Sequence, residues 1–342
     1  MNPYDPIMRG CIDGQNIWWV SCAYNGLYKT NIETGKTSFI GYIPFEMKTV
    51  RNLYDCIFCI ENEILLFPQN TNRMCIYNSL DNAFRFIELE GKVWPVCREK
   101  NSIFFLQLLN NATVFLSQYH VGENQIRERK DISKVTTKLG WKVWLSNLSI
   151  IGDQAYMSAF NSEDVLIYNL KSDNTRTVRM QSKNVQLQTI SPYRDGFVGF
   201  EKLGNRVFLF SDKGELRREY ELSMDDTERK DLYSSILLTE DAFYIKYHGK
   251  NMVFKIDPNQ TECNIMRLEK FNGYGDIVSL GKVIVQLPDL KNSKFQFSDG
   301  RVVTYKFDAQ KFIVAEMAYS EIIQESRWLT LNNYLEAIPI QV

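Results

Sequence analysis

At 342 residues the chain is long enough to bury a sizeable core and too long for a minimal disulfide-stapled module. Its 40 basic and 41 acidic side chains leave a formal charge of −1, which argues against a strongly basic nucleic-acid binder and against an acidic tail. With 44% hydrophobic residues it is not a disordered chain, and 13% aromatics point to a β-rich fold, because such side chains suit half-buried pleated surfaces.

The opening MNPYDPIMRG has no basic start followed by an apolar stretch, so the sequence predicts no signal peptide. No run approaches the roughly 20 apolar residues that a membrane span needs, and the expected location is the cytoplasm. Seven cysteines (Cys11, Cys22, Cys56, Cys59, Cys75, Cys97 and Cys263) follow, odd in number and irregular in spacing. Most sit in apolar text, and reduced, buried thiols are the expectation.

Short apolar runs then alternate with turn signals. Ile17–Val20 is followed by Gly26–Ile32, the turn Glu33-Thr34-Gly35-Lys36, and Thr37–Ile40. That reads as strand, strand, turn, strand. Similar units start at Ile64, Ile103, Ala155, Phe197, Phe243 and Val283, with turns at Asp81-Asn82, Ser172-Asp173-Asn174, Asp212-Lys213-Gly214, Asp257-Pro258-Asn259 and Ser298-Asp299-Gly300. The turns at Glu33 and Asp299 bracket six intervals averaging about 44 residues, a period that fits four strands per blade of a β-propeller. Seven four-stranded antiparallel blades over about residues 7–318 of a single domain, 1–342, are therefore expected.

An aromatic residue precedes each unit: Tyr4, Tyr54, Trp94, Trp144, Tyr193, Tyr233 and Tyr274. These either pack between blades or rim a binding mouth on one face. Two polar connections are long, Asp131 to Lys142 and Ser223 to Asp231, the latter reading as one or two helical turns. The tail, 321–342, departs from the pattern and reads as a short helix, from Thr330, or a closing strand.

With blades of this form the chain resembles the β-propeller superfamily. The stretch Gly26-Leu27-Tyr28-Lys29-Thr30-Asn31-Ile32-Glu33-Thr34-Gly35-Lys36 is similar to the strand–turn repeat of divergent bacterial propellers of the two-component-regulator or quinoprotein-like kind. Neither the Trp-Asp ending of WD40 blades nor the diglycine of kelch blades is present, and no functional residues carry over.

Tests for chemistry narrow the field. Gly35-Lys36-Thr37 ends like a phosphate loop, but Thr30 stands where the first glycine belongs and a hairpin, not a helix, surrounds it. Cys56-Ile57-Phe58-Cys59 lies in a strand, whereas a zinc pair wants a turn, and two buried thiols are expected. Two histidines, His120 and His248, are too few for a multi-histidine metal centre. His248 sits in a predicted loop. Asp55 and Asp276 fall near predicted inner strands, and Arg127-Glu128-Arg129-Lys130-Asp131 mixes its signs like a solvated strand edge.

The reading that follows is a non-catalytic scaffold, without cofactor or metal, that recognises a protein, peptide or glycan on one face. Nucleic acid and membrane are not expected partners, and the chain is expected as a monomer or in a hetero-complex. The candidate binding residues are Tyr54, Trp94, Trp144, Tyr193, Tyr233 and Tyr274, with Arg51, Arg98, Lys142 and His248 nearby. The rival is a propeller enzyme, a carbohydrate lyase or hydrolase or one modifying a small molecule, with acids converging at a central channel.

Overall fold

The computed structural model describes residues 9–20, 26–44, 46, 53–109, 113–123, 125–138, 145–159, 162–182, 185–202, 204–223, 233–239, 241–248, 252–259, 265–268, 271, 277–280, 282–288, 294–304 and 306–307. They form a seven-bladed β-propeller with four-stranded antiparallel blades.

Blade 1 holds β1 (Arg9–Asp13), β2 (Asn16–Val20), β3 (Gly26–Asn31) and β4 (Lys36–Tyr42). Blade 2 holds β5 (Tyr54–Ile60), β6 (Glu63–Pro68), β7 (Arg73–Asn78) and β8 (Ala83–Glu88). Blade 3 holds β9 (Lys92–Glu99), β10 (Ser102–Leu109), β11 (Thr113–His120) and β12 (Ile126–Asp131), and a six-residue helix, α1 (Ser133–Lys138), follows it. Blade 4 holds β13 (Leu145–Ile151), β14 (Gln154–Ala159), β15 (Asp164–Asn169) and β16 (Thr175–Arg179). Blade 5 holds β17 (Leu187–Tyr193), β18 (Gly196–Glu201), β19 (Arg206–Ser211) and β20 (Leu216–Glu221). Blade 6 holds β21 (Tyr233–Leu238), β22 (Phe243–His248), β23 (Met252–Ile256) and β24 (Ile265–Arg267). Blade 7 holds β25 (Ile277–Leu280), β26 (Val283–Gln286), β27 (Lys294–Phe297) and β28 (Val302–Thr304). A last short strand, β29 (Lys306–Phe307), pairs parallel to β4 and makes blade 1 five-stranded.

The period and blade count match the sequence reading; the phase differs by one strand. The apolar runs that open each sequence unit are the second strands, and each blade begins one strand earlier. The reason is burial. Second and third strands are covered on both faces, so they carry the continuous apolar text that is easiest to see. Fourth strands lie at blade edges, and β16 and β20 are charged there, which blunts edge-to-edge pairing.

Packing divides the described residues into two compact units. One contains blades 1, 2 and 7 and most of blade 6. In it Trp18 and Trp19, adjacent on β2, point to opposite faces. Trp19 stacks on Tyr28 at 4.3 Å and buries with Val285, Phe295 and Phe297 of blade 7, while Trp18 buries with Tyr54, Leu66 and Tyr77 of blade 2. Blade 6 contributes Tyr244 and Val253 to a cluster with Ile277 and Ile284 of blade 7. The other unit contains blades 3, 4 and 5. There Leu166 of β15 packs towards Leu106 and Leu116 of blade 3, and its neighbours Val165 and Ile167 pack towards Phe197, Phe208 and Phe210 of blade 5.

The turns between third and fourth strands of blades 1, 2, 4 and 5 share one design. The residue ending the third strand accepts backbone N–H bonds through its side chain: Asn31 from Glu33 and Thr34, Asn78 from Leu80, Asn169 from Lys171 and Ser172, and Ser211 from Lys213 and Glu215. Three or four residues later the chain takes a left-handed conformation, at Gly35, Asn82, Asp173 and Gly214. This turn then touches the preceding blade. A Cβ on Gly35 would lie 2.2 Å from the Thr304 carbonyl oxygen, and one on Gly214 would lie 2.1 Å from that of Arg179. The phosphate-loop-like triplet is thus structural: Thr30 and Thr37 are fully buried, share a 2.9 Å hydroxyl bond, and Thr30 accepts the Trp19 indole N–H at 2.9 Å.

The cysteine expectation is corrected. Cys11 of β1 and Cys59 of β5 form a disulfide, with Cα atoms 5.9 Å apart, because the first strands of blades 1 and 2 run side by side. Cys59 is therefore not a buried thiol, and Cys56 is only half-buried. Cys75 is a buried free thiol, while the free thiol of Cys97 is half-buried; Cys22 and Cys263 lie outside the described residues. The connection after Asp131, read as a polar loop, carries α1. Its start is organised by Asp131, whose carboxylate accepts from the Ser133 backbone and hydroxyl and is held below its usual pKa by those bonds. The predicted helical turns at 223–231 and the tail at 321–342 lie outside the described residues apart from Ser223.

Candidate functional site

Blade 3 carries a groove of about 220 Å³ lined by Glu88, Leu89, Glu90, Gln107, Ile126, Arg127 and Arg129. Three pieces of chain build it. The first is the end of β8 with its link to β9, which contributes Glu88 from the strand and Leu89 and Glu90 from the link. It is held down at Gly91, where φ is +70° and an added Cβ would meet the Leu108 carbonyl oxygen at 2.2 Å. The second is β10, whose apolar text is interrupted by Gln107. The third is the edge strand β12.

Gln107 is 3% exposed and its amide is oriented by its surroundings. Its Nε2 donates to the Glu90 carbonyl oxygen at 3.2 Å, and its Oε1 accepts from the Ser117 hydroxyl at 2.6 Å. A backbone carbonyl only accepts, so the amide nitrogen must face Glu90. Arg129 donates to the Glu90 carboxylate at 2.8 Å, and its guanidinium lies 3.9 Å from the centre of the Phe115 ring. Both groups are thereby fixed in place.

Arg127 is different. The register of β11 and β12 pairs Gln118 with Glu128 and Tyr119 with Ile126, so Arg127 is the extra residue of a β-bulge. Bulges re-aim the side chain they carry. Blade 5 has a bulge at the corresponding place, and there Arg217 donates twice to Asp195, at 3.0 and 2.9 Å. Among the described residues Arg127 pairs with the Glu123 carboxylate at 3.9 Å, beyond hydrogen-bond reach, and the Arg127 side chain is 55% exposed. Its donors are left over for something else.

The sequence-predicted residues scatter. Trp94, the third residue of β9, is 43% exposed; β10 and β9 shift register between Phe105 and Gln107, leaving Trp94 and Pro95 opposite Leu106. Tyr54 opens β5 and is 1% exposed. Its hydroxyl donates to Glu46 at 3.2 Å, Thr71 donates to the same oxygen, and burial, with the neighbouring Cys75 and Glu46, pushes its pKa well up. Tyr193 closes β17, is buried, and lies under the Arg194 guanidinium. These two positions are packing positions. Arg98 is exposed and donates to the Lys100 carbonyl oxygen. Tyr233 opens β21, and His248 ends β22, so His248 belongs to a strand and not to the loop expected for it. Arg51, Lys142, Trp144, Tyr274 and Asp276 lie outside the described residues. Of the predicted residues that are described, Trp94 and Arg98, four residues apart on β9, lie on the blade that holds the groove.

Most of the groove was missed. The usable signal was Gln107, a carboxamide inside Phe104–Leu109, where an unpaired polar group would be costly. Arg127 and Arg129 were read as solvated, which holds for their exposure and misses the bulge. Among the described residues no cluster of three or more acidic, histidine or cysteine side chains is placed to hold a metal ion.

No family model matches the chain, so the two-component-regulator or quinoprotein-like motif finds no support, and no curated relative matches either. Solved structures do match. Virginiamycin B lyase from Staphylococcus aureus aligns with a TM-score of 0.56 at 12% identity, covering 88% of this chain and 94% of its own. A streptogramin B lyase gives 0.55 at 13%, covering 84% and 92%. Kluyveromyces lactis Hsv2 gives 0.55 at 13%, covering 85% and 92%. The fold is shared. At these identities the likeness extends no further than that. No helix among the described residues is long and apolar enough to cross a membrane.

Proposed function

We propose that the chain is a non-catalytic recognition scaffold that seats a protein, peptide or glycan partner on blade 3. The observation that carries this reading is the preformed groove, in which Gln107 and Arg129 are held by the fold and Arg127 keeps unspent donors. Preorganised polar groups cost little to order on binding, which is what a recognition site requires. Trp94, half-exposed on the same blade, adds the kind of rigid aromatic area that dominates interface energies. The Cys11–Cys59 bond favours an oxidising compartment over the cytoplasm expected from the N-terminal text.

The test is capture. Immobilised protein is screened against peptide and glycan arrays, and hits are re-measured with Arg127→Ala and Trp94→Ala. Retained melting temperature with at least tenfold weaker binding in either variant supports the site. Hits unaffected by both variants remove blade 3 from the reading.

The rival reading, a propeller enzyme, is favoured by one observation: two fold neighbours are named as lyases, and a histidine-to-alanine variant of one is described as catalytically inactive. In this chain the His120 ring nitrogen bonds the Ser102 hydroxyl at 3.2 Å. Incubation with virginiamycin B, followed by liquid chromatography, is expected to leave the compound unchanged. Turnover abolished by His120→Ala or His248→Ala would replace the scaffold with the enzyme.

A further inference from the structure

We propose that the blade 3 groove selects a zwitterion, a ligand carrying an ammonium and a carboxylate within the span of about one amino-acid residue. This rests on the groove being a recognition site and names its ligand class.

The lining carries two carboxylates, Glu88 and Glu90, and two guanidinium groups, Arg127 and Arg129. A ligand of one sign is repelled by half of that wall, and the repulsion grows as water is displaced from a small concavity. Nucleotides, phosphate groups and polybasic segments are disfavoured on this ground. Size sets a second limit, because the volume falls below the roughly 300–1,000 Å³ usual for drug-sized ligands.

Within the lining the two signs are not equivalent. Arg129 is committed to Glu90 and to the Phe115 ring. Arg127 is not committed in this way, and a guanidinium with free parallel donors is matched best by a carboxylate. Glu90 is 67% exposed, and Arg129 bonds one of its two oxygens. The other oxygen is an acceptor suited to an ammonium. Gln107, lining the same groove, has spent one amide hydrogen on the Glu90 carbonyl and keeps the second for a ligand carbonyl or carboxylate oxygen. Leu89 and Ile126 supply apolar contact for a short carbon skeleton. One acceptor, one bidentate donor and one fixed amide donor in a residue-sized space describe an amino acid or a dipeptide better than a sugar ring, whose hydroxyls do not need full charges.

The experiment is isothermal titration calorimetry of the full chain with glycylglycine. Acetate, ethylammonium, N-acetylglycinamide and glucose serve as controls that present one charge or none. Saturable binding of glycylglycine, with every control at least tenfold weaker, is the expected result. Arg127→Gln and Glu90→Gln should each weaken it by about tenfold or more, since a bond to a charged group is lost. Glucose binding as tightly as glycylglycine overturns the zwitterion while leaving the groove as a recognition site. No saturable heat up to about 20 mM overturns it too. If a captured partner still depends on Arg127 in that case, the groove reading stands, and if it does not, both fall.

Discussion

Serine at Cys11 or Cys59 removes a covalent link between the first strands of blades 1 and 2. The Cα separation of 5.9 Å lies within the usual disulfide range. The bond closes a loop across a sequence separation of 48 residues, and chain entropy values such a closure at about 4 kcal/mol. Unfolding entropy of about 2.1 cal/mol/K per residue, taken over 342 residues, converts this to a fall in melting temperature of about 5–6 °C. Scanning calorimetry of Cys11→Ser, Cys59→Ser and the double variant, all without reductant, reads the effect. The two single variants should fall alike, and the double variant should fall no further, because one bond is lost in each case. Reductant should lower the parent by the same amount and leave the variants unmoved. Unchanged melting temperatures, or seven titratable thiols in the oxidised, denatured parent, would refute the link and restore the expectation of reduced cysteines.

Gly35→Ala places a Cβ 2.2 Å from the Thr304 carbonyl oxygen at φ +72°, and about 2–4 kcal/mol of destabilisation by urea titration is expected. Gly14→Ala, also left-handed but with nothing within 4 Å, should cost about 1–2 kcal/mol, and equal losses in the two variants would deny the clash. Trp19→Ala, at a side chain 1% exposed, should cost about 3–5 kcal/mol, and Trp94→Ala, at 43%, less than half of that; the reverse order would place Trp94 in the core. Alkaline pH should unfold the protein early. Burial raises the Cys97 thiol from 9.0 to about 12 and raises Cys75 and Tyr54 as well. The unfolded chain then loses these protons first, so stability is full below about pH 9 and drains as pH climbs towards 12. Cys97→Ala should flatten that decline, and an unchanged slope in the variant would show that the thiol is not its source.

How much of this was legible follows from what each feature does to the side-chain text. The blades were legible because strands such as Ile64–Pro68 and Val165–Tyr168 are covered on both faces and so read as unbroken apolar runs. The turns were legible because an Asx acceptor and a left-handed residue must recur together, as at Asn31 with Gly35 and Asn169 with Asp173. First strands such as β9 and β13 were harder to see, since they alternate exposed and buried positions and carry bulges. The blade phase was misread for that reason. The disulfide was not legible, because Cys11 and Cys59 meet only through the pairing of two blades. Nor was the groove, since Glu90, Gln107 and Arg127 come from three separate elements, and the bulge that frees Arg127 is a property of register and not of composition.

The pairing of Lys306–Phe307 with Lys36–Thr37 has a consequence for biosynthesis. The outer edge of blade 1 receives its last strand from a segment translated 270 residues later. At about 5–20 residues per second, a nascent chain carries that edge incomplete for roughly 14–54 s. Of the seven blades, the first to be made is thus among the last to be finished, and truncation anywhere before residue 306 leaves it without the β29 pairing.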